Sequence, residues 1–307
     1  MKKTALLFAG QGAQYPGMGN DLAEASPTAA SLFEESERIL GGSFRQVCFE
    51  GPDEILTRTD YCQPALYVHG LALWGMVRER FPSFEPFACA GLSLGEFTAH
   101  TAAGHCSFVD GLRLVHTRGR LMQEACEATE GGMLTLIGAT IEQARDLAAQ
   151  SGLEVANVNT PGQIVLSGAK NLIPAAVEQG KALGLKRVLP LNVAGAYHSR
   201  LMASAKDGLE PALLETTFLS NATPVYANVN AEPATDPETI RALLLQQVTG
   251  SVLWQHCIEN MVRDGVEQFL ELGPKNILAN MCKRICPEVP CLSAGTAAEI
   301  NQLPSLL

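Results

Sequence analysis

Ser93 stands in Gly91-Leu92-Ser93-Leu94-Gly95, between an apolar run over residues 84–90 and a helix-like segment beginning Glu96-Phe97-Thr98-Ala99-His100. Strand, Gly-x-Ser-x-Gly, helix is the setting of a nucleophile elbow. Glycines on either side let strand and helix approach closely, and the turn holds the hydroxyl exposed. The Leu94 amide then points outward at the helix N-terminus, where backbone N–H groups attract negative charge. A serine hydroxyl is a weak nucleophile and needs a positioned base. Of the six histidines, His198 lies in the small-residue turn Ala194-Gly195-Ala196-Tyr197-His198-Ser199, whereas His69, His100, His116 and His256 fall in helical stretches. His105 sits in a loop and stays open as an alternative base. A second glycine-rich turn, Gly10-Gln11-Gly12, follows the apolar run at residues 4–8. It can present an amide from a second loop, as an oxyanion hole requires.

These pieces, in this order, resemble the malonyl-CoA:acyl-carrier-protein transacylases and the related acyltransferase domains of polyketide synthases. The matching segments run from Phe8-Ala9-Gly10-Gln11-Gly12-Ala13-Gln14 to Glu271-Leu272-Gly273-Pro274. Between them lie Gln63-Pro64-Ala65-Leu66, Gly91-Leu92-Ser93-Leu94-Gly95-Glu96, Arg118-Gly119-Arg120-Leu121-Met122-Gln123, Asn159-Thr160-Pro161-Gly162-Gln163, Ala196-Tyr197-His198-Ser199 and Val252-Leu253-Trp254. The ordered set covers nearly the whole chain and is far more specific than any one member.

The resemblance implies a Ser93–His198 dyad, with the Gln11 and Leu94 amides holding the oxyanion. It implies that a backbone carbonyl, here that of Leu253, orients the imidazole in place of a carboxylate. Arg118 matches the family's Arg-Gly-x-x-Met-Gln pattern and is expected to bind the malonyl carboxylate, a task suited to a planar guanidinium. Arg120 is left as a surface residue. Gln63 and Asn159 are expected to support substrate binding, and Tyr197 to narrow the pocket in favour of malonyl over methylmalonyl units. One position departs from the family: Leu92 stands where a histidine usually precedes the nucleophile. The implied reaction moves malonyl from malonyl-CoA to the phosphopantetheine thiol of an acyl carrier protein, in fatty-acid or polyketide synthesis, with no separate cofactor and no metal. A serine thioesterase or other hydrolase shares the elbow but has no use for Arg118, and a non-catalytic carrier-docking module has no use for Ser93 and His198.

The elements that must position these residues read as α/β, with helices alternating with short apolar strands. Residues 22–40, 66–79 and 97–127 carry helical spacing or composition. From 131 to 193 the rhythm becomes β-α-β-β-α-β: strands at 133–137, 154–158, 163–167 and 186–192, helices at 141–151 and 171–183. That order is the split βαβ of a ferredoxin-like module. The expected architecture is a hydrolase-like large subdomain with a mostly parallel sheet, residues 1–129 and 196–307, and an inserted ferredoxin-like small subdomain, 130–195. Strands at 224–229 and 268–272 and helices at 238–248 and 277–285 complete the large part.

At 307 residues the chain can bury a large core, and no run of apolar residues is long enough to span a membrane. The apolar stretch after Met1-Lys2-Lys3 ends too soon for a secretion signal, which points to a cytoplasmic protein. Nine cysteines in apolar or helical patterns, without metal-ligand spacing, read as reduced buried thiols. A net charge of −10 argues against nucleic acid as a partner and requires a local basic patch for an acidic carrier protein. A monomer is expected.

Ser93→Ala should abolish acyl-enzyme formation. Mass spectrometry after mixing with malonyl-CoA should find a malonyl adduct on the unaltered protein alone; an adduct that persists on the variant, or maps to a cysteine, refutes the assignment.

Overall fold

The computed structural model describes residues 2–304. Ten strands are assigned among them: β1 (Thr4–Phe8), β2 (Ala88–Gly91), β3 (Gly131–Ile137), β4 (Glu154–Thr160), β5 (Gln163–Ala169), β6 (Arg187–Pro190), β7 (Val225–Tyr226), β8 (Pro233–Ala234), β9 (Gln268–Leu272) and β10 (Cys291–Ala294). They form two sheets. The six-stranded sheet has the order β10-β9-β1-β2-β7-β8, parallel except for the antiparallel edge strand β8. The four-stranded sheet has the order β4-β5-β3-β6 and is antiparallel throughout.

Every residue of β1, β2 and β9 is buried. That is why β1 and β2 read as nearly continuous apolar runs rather than alternating ones: both faces of a parallel sheet are covered by helices. The helix Thr59–Arg80 is buried nearly all round, and crosses the core against the helix Phe108–Ala128 that carries Arg118. Glu271, on β9, accepts hydrogen bonds from the amides of Leu278 (2.9 Å) and Ala279 (2.8 Å), capping the start of the helix Ile277–Ile285. Among the described residues no helix is long and apolar enough to cross a membrane.

Several sequence-based boundaries shift. The helix expected at 22–40 is broken into Asn20–Ala25 and Pro27–Leu40, because Ser26 caps the second helix through the Ala29 amide and Pro27 starts it. The segment 97–127 is two helices, Leu94–Ala102 and Phe108–Ala128, the second capped by Ser107. The helix expected at 66–79 begins earlier, at Thr59. The strand expected at 224–229 shrinks to Val225–Tyr226, after which the chain turns to place Asn228 beside the elbow. β8 and β10 had no expectation. The β-α-β-β-α-β order between Gly131 and Pro190 matches the pattern read from the sequence.

The four-stranded sheet is tied to the larger part of the chain along β4. β4 forms a parallel bridge with the loop after helix Pro237–Gln247: Val158 N–H donates to the Val252 carbonyl (2.9 Å) and Val252 N–H to that of Ala156 (2.8 Å).

The elbow itself depends on two absent side chains. A Cβ on Gly91 would lie 1.9 Å from the backbone of Gly95, and one on Gly95 would lie 2.2 Å from the Phe8 carbonyl oxygen. Neither obstacle is a movable side-chain end. Gly95→Ala should therefore lower unfolding stability by about 1–3 kcal/mol or more, the usual cost of overpacking. An unchanged urea midpoint would show that strand and helix are not pressed together there.

Candidate active site

Ser93 occupies the junction of β2 and the helix Leu94–Ala102 at φ 53° and ψ −104°. This is a backbone conformation that non-glycine residues rarely adopt, and it persists only where the surroundings impose it. Asn228 supplies part of that force. Its Oδ1 accepts from the Ser93 amide (2.7 Å), and its Nδ2 donates to the Gly91 carbonyl (2.9 Å). The side chain of Gln247 holds the other end, donating through Nε2 to the Ser93 carbonyl (2.8 Å).

The Ser93 hydroxyl lies 2.8 Å from His198 Nε2, and the opposite ring nitrogen, Nδ1, lies 2.9 Å from the main-chain carbonyl of Gln247. A carbonyl can only accept, so Nδ1 carries the proton and Nε2 is left as the acceptor for the serine hydroxyl. His198 is therefore placed to accept the Ser93 proton. His105 is not: its Nδ1 pairs with that of His100 at 2.9 Å, and neither lines the cavity at Ser93. His198 also has positive φ, 55°, so both members of the pair are held in backbone strain.

The carbonyl expected from Leu253 is a correction. The Leu253 oxygen accepts from the Cys257 amide (2.9 Å), the opening bond of the helix Trp254–Arg263, and so is already engaged. Gln247 instead ends the helix Pro237–Gln247, where the last carbonyls have no intrahelical donor and carry the negative end of the helix dipole.

Arg118 is almost wholly buried, at 1% exposure, yet among the described residues its hydrogen-bond partners include no carboxylate. Its Nη1 donates to Gln63 Oε1 (2.7 Å), and its Nη2 to Gln247 Oε1 (2.7 Å) and to Ser93 Oγ (3.1 Å). The guanidinium lies 5.0 Å from the centre of the Phe97 ring. Burial lowers its pKa to about 10, which leaves it charged at neutral pH. Burial, then the charge of Arg118, lowers that of His198 to about 4, keeping the resting imidazole neutral.

A cavity of about 440 Å³ opens above Ser93 and is lined by Gln11, Leu92, Leu94, Gln63, Arg118, Met122, Tyr197 and His198, among others. Among the described residues the amides of Gln11 and Leu94 have no protein acceptor. The Tyr197 hydroxyl is tied to Thr59 Oγ1 (2.8 Å) and receives a bond from Gln11 Nε2 (3.3 Å), so it is fixed at the wall. Arg120 pairs with Glu124 at the exposed surface, as expected. Asn159 is a second correction. It lies within β4 rather than on a turn and does not line the cavity; Asn157 does. Register shifts between Val155 and Asn157 and between Val158 and Thr160 break the simple alternation that would aim Asn159 inward. Three residues of the site had no assigned role from sequence: Asn228, Gln247 and Glu96. Glu96 was visible in the helix start, where an acidic residue ordinarily faces solvent; here it is fully buried.

A family model described as acyl transferase domain matches residues 5–299. A malonyl CoA-acyl carrier protein transacylase of Bacillus subtilis is 37% identical over 290 residues, covering 93% of this chain and 91% of the relative. The crystal structure of an acyl carrier protein S-malonyltransferase from Vibrio cholerae superposes with a TM-score of 0.94 at 35% identity, covering 98% of this chain and 100% of that one. A type II PKS acyl-carrier protein in complex with its malonyl-transacylase gives a TM-score of 0.92 at 35% identity, with 98% of both chains covered.

The depressed basicity of His198 can be read directly. With the ring nitrogens isotopically labelled, NMR at pH 5.5 should find His198 neutral and protonated at Nδ1, where an ordinary histidine would be mostly imidazolium. An imidazolium signature at that pH would contradict the arrangement.

Proposed function

The chain belongs to the acyl transferase domain family, and we propose that it transfers the malonyl group of malonyl-CoA to the phosphopantetheine thiol of an acyl carrier protein through a malonyl-serine intermediate. The observation that carries this reading is a buried guanidinium 3.1 Å from the nucleophile. A desolvated cation beside the reacting oxygen is matched to an acyl group that carries its own carboxylate, and a simple ester or acyl-thioester hydrolase would gain nothing from it.

The steps balance with these residues and the thioester alone. His198 Nε2 takes the Ser93 proton as Oγ bonds to the thioester carbonyl carbon. The oxyanion is met by the Gln11 and Leu94 amides, one from the β1 turn and one from the helix start. The C–S bond breaks, and the imidazolium returns its proton to the CoA sulfur. Arg118 keeps the malonyl carboxylate of the acyl-serine in place, braced by Gln63. The carrier thiol then enters and the same steps run in reverse. Leu92, on the cavity wall, offers no hydrogen bond where relatives usually carry histidine, so the acyl end is held by Arg118 and bounded by Tyr197.

The two sheets fit a hydrolase-like large subdomain, residues 1–129 and 196–307, carrying the nucleophile. An inserted ferredoxin-like subdomain, 130–195, closes the cleft. We assign the protein to the cytoplasm as a monomer, without a separate cofactor, serving fatty-acid or polyketide synthesis.

Arg118→Ala tests the reading. Leaving one partner of a desolvated charge pair unpaired typically costs roughly 2–5 kcal/mol, about thirtyfold or more at about 1.4 kcal/mol per factor of ten, so malonyl transfer should fall by at least about tenfold to a hundredfold. Acetyl-CoA lacks the carboxylate and should lose much less, so the quantity to measure is the ratio of the two kcat/KM values. A parallel fall of both would make Arg118 a structural residue and remove the case for malonyl.

A further inference from the structure

Glu96 is a fully buried carboxylate that the steps above do not use. Its Oε2 accepts two hydrogen bonds, from Gln247 Nε2 (2.7 Å) and from the Asn228 amide (3.0 Å). Its Oε1 has no partner among the described residues. Burying a carboxylate so incompletely satisfied is costly, which asks for a reason.

The two residues it holds are the ones that hold the site. Asn228 fixes the Ser93 amide and the Gly91 carbonyl. Gln247 touches everything else: its main-chain oxygen takes the His198 proton, its Nε2 reaches the Ser93 carbonyl, and its Oε1 receives Arg118. The orientation of the Gln247 amide is dictated by what surrounds it. Glu96 and the Ser93 carbonyl are both acceptors, so Nε2 must face them and Oε1 must face the guanidinium. A flipped amide would set oxygen against oxygen on one side and N–H against N–H on the other.

We propose that Glu96 is an anionic positioning residue of the transferase, acting through Gln247 and Asn228 to orient Arg118 and to hold the Ser93–His198 pair in register. Its charge has a second effect. Arg118 is a buried cation with no carboxylate in contact while malonyl is absent, and Glu96 lies one polarised amide away, as guanidinium–amide–carboxylate. The buried charge is thus balanced at a distance, leaving the guanidinium free to bond an incoming carboxylate.

The charge of Glu96 varies across the working pH range. Burial raises its carboxyl pKa to about 7, against the lowering effects of Gln247, Asn228 and Arg118. The ionisable groups facing it are Arg118, from helix Phe108–Ala128, and Cys257, from helix Trp254–Arg263. His198 is reached only through Gln247. Burial pushes the Cys257 thiol well up, so it stays protonated, and Arg118 and His198 keep their charge states near neutrality. Glu96 is therefore the group of this set whose charge is lost as pH falls through about 7.

The proposal rests on acyl transfer at Ser93, and acylation of the unaltered enzyme by malonyl-CoA in the same assay checks that reading separately. Glu96→Gln keeps an oxygen able to accept both bonds and drops the charge; Glu96→Leu drops both. With Glu96→Gln, kcat for malonyl transfer at pH 8 should fall about tenfold, and with Glu96→Leu about a hundredfold, the scale of losing charge-assisted hydrogen bonds. The sharper readout is the pH profile. In the unaltered enzyme acylation should drop as pH falls through about 7, and in Glu96→Gln that limb should vanish, leaving a low, flat rate. The Nδ1 proton resonance of His198 should stay in place in Glu96→Gln and broaden or shift in Glu96→Leu. Thermal melting of each variant separates these effects from loss of fold. A Glu96→Gln enzyme with the same rate and the same pH limb overturns the role of the charge. A folded Glu96→Leu enzyme with unaltered kcat and His198 resonance overturns the positioning role.

Discussion

The reactive geometry depends on holding one serine in a backbone conformation that it would not choose. Ser93 sits at φ 53° and ψ −104°, a placement that costs of order 1–3 kcal/mol in isolation. Three contacts impose it. Gly91 and Gly95 let β2 and the following helix touch backbone to backbone, Asn228 clamps the peptide on the strand side, and Gln247 clamps the carbonyl on the helix side. Because Gln247 also receives His198 and Arg118, the clamp on the nucleophile also positions base and cation. Reactivity and selectivity are thus coupled through one glutamine at a helix end.

Burial of Arg118 sets the electrostatics around this clamp. A desolvated guanidinium is tolerated because two amide oxygens, a hydroxyl and an aromatic face surround it, and because Glu96 lies behind Gln247. None of the nearest partners is a full negative charge, so a bound carboxylate need not displace one. Burial and, after it, the same cation lower the basicity of His198, which keeps Nε2 unprotonated and ready to accept. A binding charge and a neutral base a few ångströms apart are compatible because each is stabilised by dipoles and not by a shared anion.

Much of this was legible in the sequence, and the boundary has a physical reason. Ser93, Leu94 and the Gln11 turn were readable because strand–turn–helix geometry needs particular residue types at fixed spacing. His198, Arg118, Gln63 and Tyr197 came from the ordered motifs and are brought together on one cavity. The orienting carbonyl was misplaced because any residue has a carbonyl, and only the helix boundaries at Gln247 and Trp254 decide which one is free. Asn159 gave way to Asn157 because bulges in β4 are invisible in an unbroken polar-apolar run. Glu96 closes the elbow motif and Asn228 stands in none, but neither position disclosed a role: their importance lies in burial and mutual contact across 132 residues of sequence.

A carbonyl in place of a carboxylate behind His198 fits the reaction. In the first half-reaction the leaving group is a thiolate, and in the second the attacking group is a thiol; the thiol pKa of about 8.5 is far below that of an amine or alcohol. Little help is needed at sulfur in either direction, and the Ser93 oxygen that leaves in the second step is better protonated by an imidazolium that no carboxylate stabilises. The end of the helix Pro237–Gln247 offers a partial negative charge, sufficient to fix the tautomer and favour proton transfer. A full anion at that position would also lie in the field of Arg118 and compete with the malonyl carboxylate for it. Moving the carboxylate one residue deeper, to Glu96, keeps the charge balance of the site while leaving both His198 and Arg118 without a competing ion pair.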